Sequence, residues 1–145
     1  MSRILSVMLA SGLMVLAGAA CGDDHGDDHH HGDAGPHDHE PVGPSSGADC
    51  PSGSTVTYEN FGEQFFESYC LRCHSSKVSG NARMGAPDDH NFDTLGEIEL
   101  LSEHIDQLAA FGSESENEEM PPGNPLPSDD QRLKLGEWIA CGLKE

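Results

Sequence analysis

Apolar residues at helical spacing predict three helices between residues 50 and 145, and no segment shows the sustained alternation of a β-strand. The first helix is predicted from about Asn60 to Leu71. Asn60 is expected to be its N-cap, with Glu63 in the reciprocal position three residues later. Four aromatic side chains give this helix a heavy apolar face: Phe61, Phe65, Phe66 and Tyr69.

The second helix is predicted from Thr94 to about Phe111, ending at Gly112. Thr94 and Glu97 have the spacing of a capping box. Apolar side chains recur at steps of three and four residues, which indicates an amphipathic helix: Leu95, Ile98, Leu101, Ile105 and Leu108.

The third helix is predicted to begin after Pro127, with Ser128 as N-cap and Gln131 as its partner, and to end at Cys141-Gly142. Three of its side chains are expected to face inward: Leu135, Trp138 and Ile139. The predicted fold class is therefore all-α. A domain of fewer than about 100 residues has a thin core, so a buried apolar cofactor would supply much of its missing apolar surface.

Residues 1–20 have the composition of a signal peptide, with Arg3 before an apolar stretch and small residues at the end. The stretch is too short for a typical transmembrane helix. Cleavage after Ala17-Gly18-Ala19 would release a soluble periplasmic protein. Alternatively, the run ending at Cys21 resembles a bacterial lipobox, although Gly18 stands where leucine is usual. The polar segment that follows favours lipidation of Cys21, on the periplasmic side of a membrane.

Residues 21–49 contain almost no apolar side chains and are predicted to be a disordered tether. The tether is rich in aspartate and holds six of the nine histidines: His25, His29, His30, His31, His37 and His39. Imidazole and carboxylate groups suit zinc, copper or nickel, so a loose metal site is one interpretation. The favoured interpretation is a solvated linker whose histidines have no specific role.

The chain has 7 Lys and Arg residues against 26 Asp and Glu residues, a formal net charge of −19. This charge excludes nucleic acid as a plausible partner. It favours redox partner proteins with a basic docking surface, because opposite charges accelerate encounter.

Five cysteines fall into three groups. Cys21 lies at the signal boundary, and Cys70 and Cys73 belong to a motif considered next. Cys50 and Cys141 remain, near the two ends of the predicted domain. In an oxidising compartment they are expected to form a disulfide.

The run Cys70-Leu71-Arg72-Cys73-His74 has the spacing that attaches a c-type haem. Each thiol can form a thioether with one haem vinyl group, and the imidazole of His74 can ligate the iron. Half of a zinc site or a redox dithiol are the alternatives. Neither is favoured, because no second Cys/His pair completes a tetrahedral set and no βαβ pattern surrounds the motif.

Met120 is the predicted ligand on the opposite side of the iron. It begins Met120-Pro121-Pro122, and proline stiffens the backbone there. A thioether ligand raises the reduction potential, which suits an electron carrier. Met84 is expected to cover a haem edge or to lie in solvent. His90, expected to be a solvated loop residue, and His104, expected to bond at the domain surface, are rival ligands.

These residues together resemble the class I c-type cytochrome domain, from about Asn60 to Gly142. In that family a glycine and an aromatic residue, eight and four positions before the first haem cysteine, pack against an aromatic residue of the last helix. Gly62, Phe66 and Trp138 match those positions. The family also has a proline whose carbonyl accepts the proximal imidazole N–H, a role that the resemblance gives to Pro87. The resemblance implies a small helical fold around one covalently attached haem.

The expected function is that of an exported, membrane-tethered monohaem cytochrome that carries single electrons between redox partners. No general base, nucleophile or substrate pocket emerges, so we expect a carrier and not an enzyme. Two alternatives remain. One is a metal-handling lipoprotein that uses the histidine-rich tether, with haem as sensor or structural element. The other is a labile sixth iron position with peroxidase or gas-binding chemistry, or a role as an oxidoreductase subunit.

Overall fold

The computed structural model describes residues 40–145, and the chain folds there into short helices joined by long loops. In chain order these are a π-helical turn (Tyr58–Gly62), α1 (Glu63–Tyr69), a 3-10 turn (Gly80–Arg83), α2 (Leu95–Leu100), α3 (Ser102–Ala109) and α4 (Asp129–Ala140). Residues 40–145 contain no β-strand, only an isolated bridge between Phe111 and Glu116. The all-α class is confirmed.

The first helix begins earlier than predicted, at a π-helical turn capped by Thr57. The Thr57 hydroxyl accepts from the Asn60 amide, and the Asn60 side chain accepts from the Thr57 amide at 3.0 Å. The prediction that Asn60 is the N-cap is therefore wrong. Asn60 is the third residue of the capping box, because its side chain reaches back to the true cap. Helix α1 ends at Tyr69, which leaves Cys70 as its C-cap.

The predicted second helix is two helices, α2 and α3, separated at Leu101. The Thr94–Glu97 capping box is confirmed. Ile98, Leu101 and Ile105 are all buried, so the apolar stripe continues through the break. The prediction of a single helix from Thr94 to Phe111 is therefore wrong. The spacing of the apolar residues could not reveal the break, because it is the same on both sides.

Helix α4 agrees with the prediction at both ends. The capping box of Ser128 and Gln131 is confirmed, and the helix ends at Ala140 with Cys141 as C-cap. A disulfide joins Cys50 to Cys141 and closes a separation of 91 residues, which confirms the predicted pairing. The disulfide links the segment before the first helix to the end of the last one.

The core centres on Trp138 of α4, whose side chain is fully buried. Its ring meets the Phe66 ring edge-on, with 6.2 Å between centroids. A Cβ atom added at Gly62 would lie 2.9 Å from Trp138, so only glycine allows this approach. The indole N–H donates to the Lys144 carbonyl at 3.1 Å. The expected packing of Gly62, Phe66 and Trp138 is thus confirmed.

The segment before Cys50 packs on α3 and forms what we call the N-terminal strap, residues 40–48. The Val42 amide donates to the Gln107 side chain at 2.8 Å, and the Ser46 amide donates to Asp106 at 2.8 Å. Asn117 also donates to the Pro44 carbonyl at 3.0 Å. The predicted tether is therefore too long at its C-terminal end. Side chains of the domain satisfy the strap's backbone, so the strap orders without a large apolar surface.

The predicted signal peptide, the lipidation site at Cys21 and the histidine-rich part of the tether all lie outside the described residues. Among the helices within residues 40–145, none combines the length and hydropathy needed to cross a bilayer.

Asp106 holds the strap most directly, because its carboxylate accepts from the Ser45 hydroxyl and from both the amide and the hydroxyl of Ser46. We expect Asp106→Ala to release the strap, at a cost of about 1–3 kcal/mol in the free energy of unfolding. Hydrogen exchange should show lost protection at the Ser46 amide. Asp130→Ala, an exposed acidic position at the start of α4, is the control. Equal protection at Ser46 in both variants would contradict this role.

Candidate functional site

A cavity of about 460 Å³ lies beside the Cys70–His74 segment. It brings both thiols of this segment and the His74 imidazole into one space with Met120. Apolar side chains provide most of the wall, including Val42, Phe65, Phe66, Phe92, Ile105, Leu108, Ala109 and Pro121. The exposed residues Met84 and Pro87 also line it, so the cavity reaches the surface.

The two thiols and the imidazole are positioned by a tight turn at the end of α1. The Cys70 amide donates to the Phe66 carbonyl. The amides of Cys73 and His74 both donate to the Cys70 carbonyl, at 3.1 and 3.0 Å. Cys70 and Cys73 are not joined to each other. Burial raises the pKa of the Cys70 thiol to about 12, with Arg72 acting in the opposite direction. The Cys70 thiol is therefore protonated at neutral pH.

A hydrogen bond and a stacked aromatic ring position the His74 imidazole. Its Nδ1 lies 2.9 Å from the carbonyl oxygen of His90, and the Phe92 ring stacks on it at 4.7 Å between centroids. A carbonyl only accepts, which assigns the proton to Nδ1 and the lone pair to Nε2. Burial lowers the pKa of His74; the His90 carbonyl opposes this effect, and the Arg83 charge adds to it. The imidazole is therefore neutral at pH 7, as a metal ligand must be.

The carbonyl that accepts the imidazole N–H is that of His90, so the role expected for Pro87 is wrong. The Pro87 carbonyl instead accepts from the Arg83 guanidinium and from the His90 amide. This turn between Pro87 and His90 brings the His90 carbonyl to the imidazole. Pro87 still lines the cavity.

The loop that begins with Met120 also lines the cavity, through Met120, Pro121 and Pro122. The Met120 amide donates to the Leu108 carbonyl at 2.9 Å, and the Met120 carbonyl accepts from Arg132 at 2.7 Å. Met120 is 36% exposed, whereas Met84, which also lines the cavity, is 69% exposed. Two backbone bonds thus hold Met120 against the cavity.

His90 and His104 also line the cavity and stack on each other, with 5.7 Å between ring centroids. The His90 imidazole pairs with Asp89 at 2.8 Å and is only partly exposed, so the prediction of a solvated loop residue is wrong. His104 is buried, and its Nε2 lies 3.1 Å from the Glu40 carbonyl of the strap. The imidazoles of His90 and His104, the alternative iron ligands, therefore each form a hydrogen bond to another group of the domain.

Three arginines were not singled out from the sequence: Arg72 and Arg83, which line the cavity, and Arg132, which donates to residues that line it. Arg72 donates to the carbonyls of Gly123 and Asn124, and Arg132 donates to those of Ala109, Asn117 and Met120. Arg83 is described below. Their targets are backbone carbonyls, which every residue carries, so no sequence signal distinguishes these arginines from surface ones.

Asp93 orders the backbone that follows His74. Its carboxylate accepts from the Ser75 hydroxyl and the Ser76 amide, both at 2.6 Å. These bonds hold the pKa of Asp93 below its usual value. The Phe92 amide, one residue earlier, donates to the His74 carbonyl at 2.8 Å. Phe92 and Asp93 therefore both hydrogen-bond to the segment 74–76 at the end of the motif.

No group of three or more His, Cys, Asp and Glu side chains within residues 40–145 is placed to hold a metal ion by itself. Comparison of the chain with family models, with curated proteins and with solved structures finds no match.

Proposed function

We propose that this protein is a monohaem c-type cytochrome that carries single electrons. The observation that supports this most is the cavity itself. Cys70, Cys73, His74 and Met120 all line one largely apolar cavity. The motif and the methionine are about 46 residues apart in the sequence, and the fold brings them to one cavity.

The residues present fit a covalently attached haem. Cys70 and Cys73 would hold it through thioethers, and His74, with its lone pair on Nε2, would be the proximal iron ligand. Met120 would be the distal ligand, and its soft sulfur favours the reduced iron. When bound, the haem supplies a one-electron change at its iron. The protein holds the ligands and surrounds the site with apolar side chains that limit water access.

A redox dithiol fits the site less well. Thiol–disulfide exchange requires a thiolate, and reactive cysteines have a lowered pKa. The pKa of Cys70 is instead raised to about 12 by burial. A structural zinc site fits poorly too, because no group of three or more His, Cys, Asp and Glu side chains among the described residues is placed to hold a metal ion, and such a site needs four ligands.

The charge distribution supports a basic redox partner. Arg83 and Arg132 are buried and donate to backbone carbonyls, and the half-buried Arg72 donates to the Gly123 carbonyl. The outer surface of the described domain therefore carries few cations and many carboxylates, which favours encounter with a positively charged surface. Anchoring through a lipid at Cys21, on the periplasmic side of a membrane, would keep the domain near membrane oxidoreductases.

Covalent haem attachment tests the proposal. The protein, matured in a bacterial host that attaches c-type haem, should keep its visible colour after extraction with acid–acetone, and its mass should include one haem per chain. The Cys70→Ala/Cys73→Ala variant should lose the colour. Cys50→Ala/Cys141→Ala is the matched control, since it removes two cysteines and spares the motif, and it should stay coloured. A wild-type protein that extraction leaves colourless would overturn the proposal.

A further inference from the structure

Arg83 is a buried cation at the centre of the loop that follows His74. Its side chain is 4% exposed. The guanidinium donates to the carbonyls of Ser75, at 2.9 Å, and Ala86, at 3.1 Å, and to the Asn91 side chain at 3.0 Å. It also donates to the carbonyls of Val78, Pro87 and His90. One side chain thus organises the whole turn between residues 75 and 91.

Arg83 donates to the same His90 carbonyl that accepts the N–H of His74, the proposed iron ligand. The His90 carbonyl oxygen lies 2.9 Å from Nδ1 of His74 and 3.2 Å from Nη2 of Arg83. A carbonyl oxygen has two lone pairs, so it can accept both bonds. A guanidinium on one lone pair withdraws electron density and weakens acceptance at the other.

The strength of that acceptance matters because the imidazole transmits it to the metal. A strong acceptor at Nδ1 makes the imidazole a more basic ligand, which stabilises the oxidised metal. A weakened acceptor does the reverse. The positive charge of Arg83 acts in the same direction, because it disfavours the additional positive charge of oxidised iron.

The charge of Arg83 is poorly compensated. Its ionic partner, Asp88, lies 3.5 Å away and its side chain is 98% exposed, so water screens this pair strongly. The other partners of the guanidinium are neutral carbonyls and an amide. A cation in a site of low dielectric constant therefore remains close to His74.

We propose that Arg83 is a positioning residue that fixes the His74 imidazole through the His90 carbonyl and raises the reduction potential of the bound haem. This inference rests on the proposed function, since it concerns the iron ligand assigned there.

The test compares Arg83→Gln and Arg83→Lys with the control Asp88→Asn, all as haem-containing proteins with covalent attachment verified first. In Arg83→Gln the equilibrium constant for reduction should fall about tenfold, which is about 59 mV for a one-electron couple. Arg83→Lys retains the positive charge and loses the planar guanidinium, so the equilibrium constant for reduction should fall less than in Arg83→Gln. Asp88→Asn should leave the potential unchanged or slightly higher.

A second readout separates tuning from a merely structural role. In the reduced state, the Nδ1 proton of His74 should move downfield in Arg83→Gln, because the unshared carbonyl accepts more strongly. In the wild type, the Arg83 guanidinium protons should exchange slowly with solvent. Rapid exchange would overturn the inference even if both Arg83 variants failed to fold.

The outcomes distinguish this inference from the proposed function. Wild-type protein without covalent haem would overturn both. Covalent haem with an unchanged or higher potential in Arg83→Gln, while His74 and Met120 remain ligands, would overturn the inference alone.

Discussion

Trp138→Ala is expected to lower the free energy of unfolding by about 3–5 kcal/mol, the usual cost of truncating a large buried aromatic side chain. Trp138 is fully buried and contacts the rings of Phe61 and Phe66. Its indole N–H also satisfies the Lys144 carbonyl. The substitution would leave a cavity beside Gly62, whose backbone cannot move in without displacing the π-helical turn.

Urea unfolding of the purified full chain, followed by circular dichroism, measures this effect. Leu133→Ala is the matched control, because Leu133 is on the same helix and is 49% exposed. It should cost less than about 1 kcal/mol. If the two variants were equally stable, Trp138 would not be the centre of the core.

The second large effect is expected at the iron of the proposed haem. Met120→Ala should remove the proposed distal ligand, so the ferric ligand-field spectrum should change and the reduction potential should fall. Axial ligands set haem potentials over a range of about 0.8 V, and we expect a fall of more than about 0.1 V. Added cyanide should then bind readily, because the sixth position is open. Spectra in both redox states and a redox titration measure these changes.

Met84→Ala is the control, since it removes the other methionine that lines the cavity, which is 69% exposed. It should leave the ligand field and the potential nearly unchanged. If Met120→Ala behaved like Met84→Ala, Met120 would not be the ligand. An open or labile sixth position in the wild type would then favour peroxidase or gas-binding chemistry over simple electron transfer.

Parts of the fold could be predicted because their signals are local. The capping boxes of α2 and α4 are formed by side chains three residues apart, so the residue types alone reveal them. Gly62 and Trp138 are far apart in the chain, and their contact was predicted only through the resemblance. The Cys50–Cys141 disulfide was predicted by elimination among few cysteines, in a chain expected to reach an oxidising compartment.

Other features had no local signal. The break at Leu101 does not disturb the apolar spacing. The strap has few apolar side chains, and its order depends on Asp106 and Gln107, which are about 60 residues later in the chain. A prediction from composition therefore assigned residues 40–48 to the tether.

The sequence by itself determined the helical class, the helix caps of α2 and α4, the disulfide pair and the side chains that could ligate a haem, because all of these depend on residue type and spacing. Only the tertiary structure decided which backbone carbonyl accepts from His74 and that the Arg83 cation lies on the same carbonyl. Every residue carries the same carbonyl group, so its partner is set by where the folded chain places it. The path of the loop around Arg83 makes His90, and not Pro87, the acceptor.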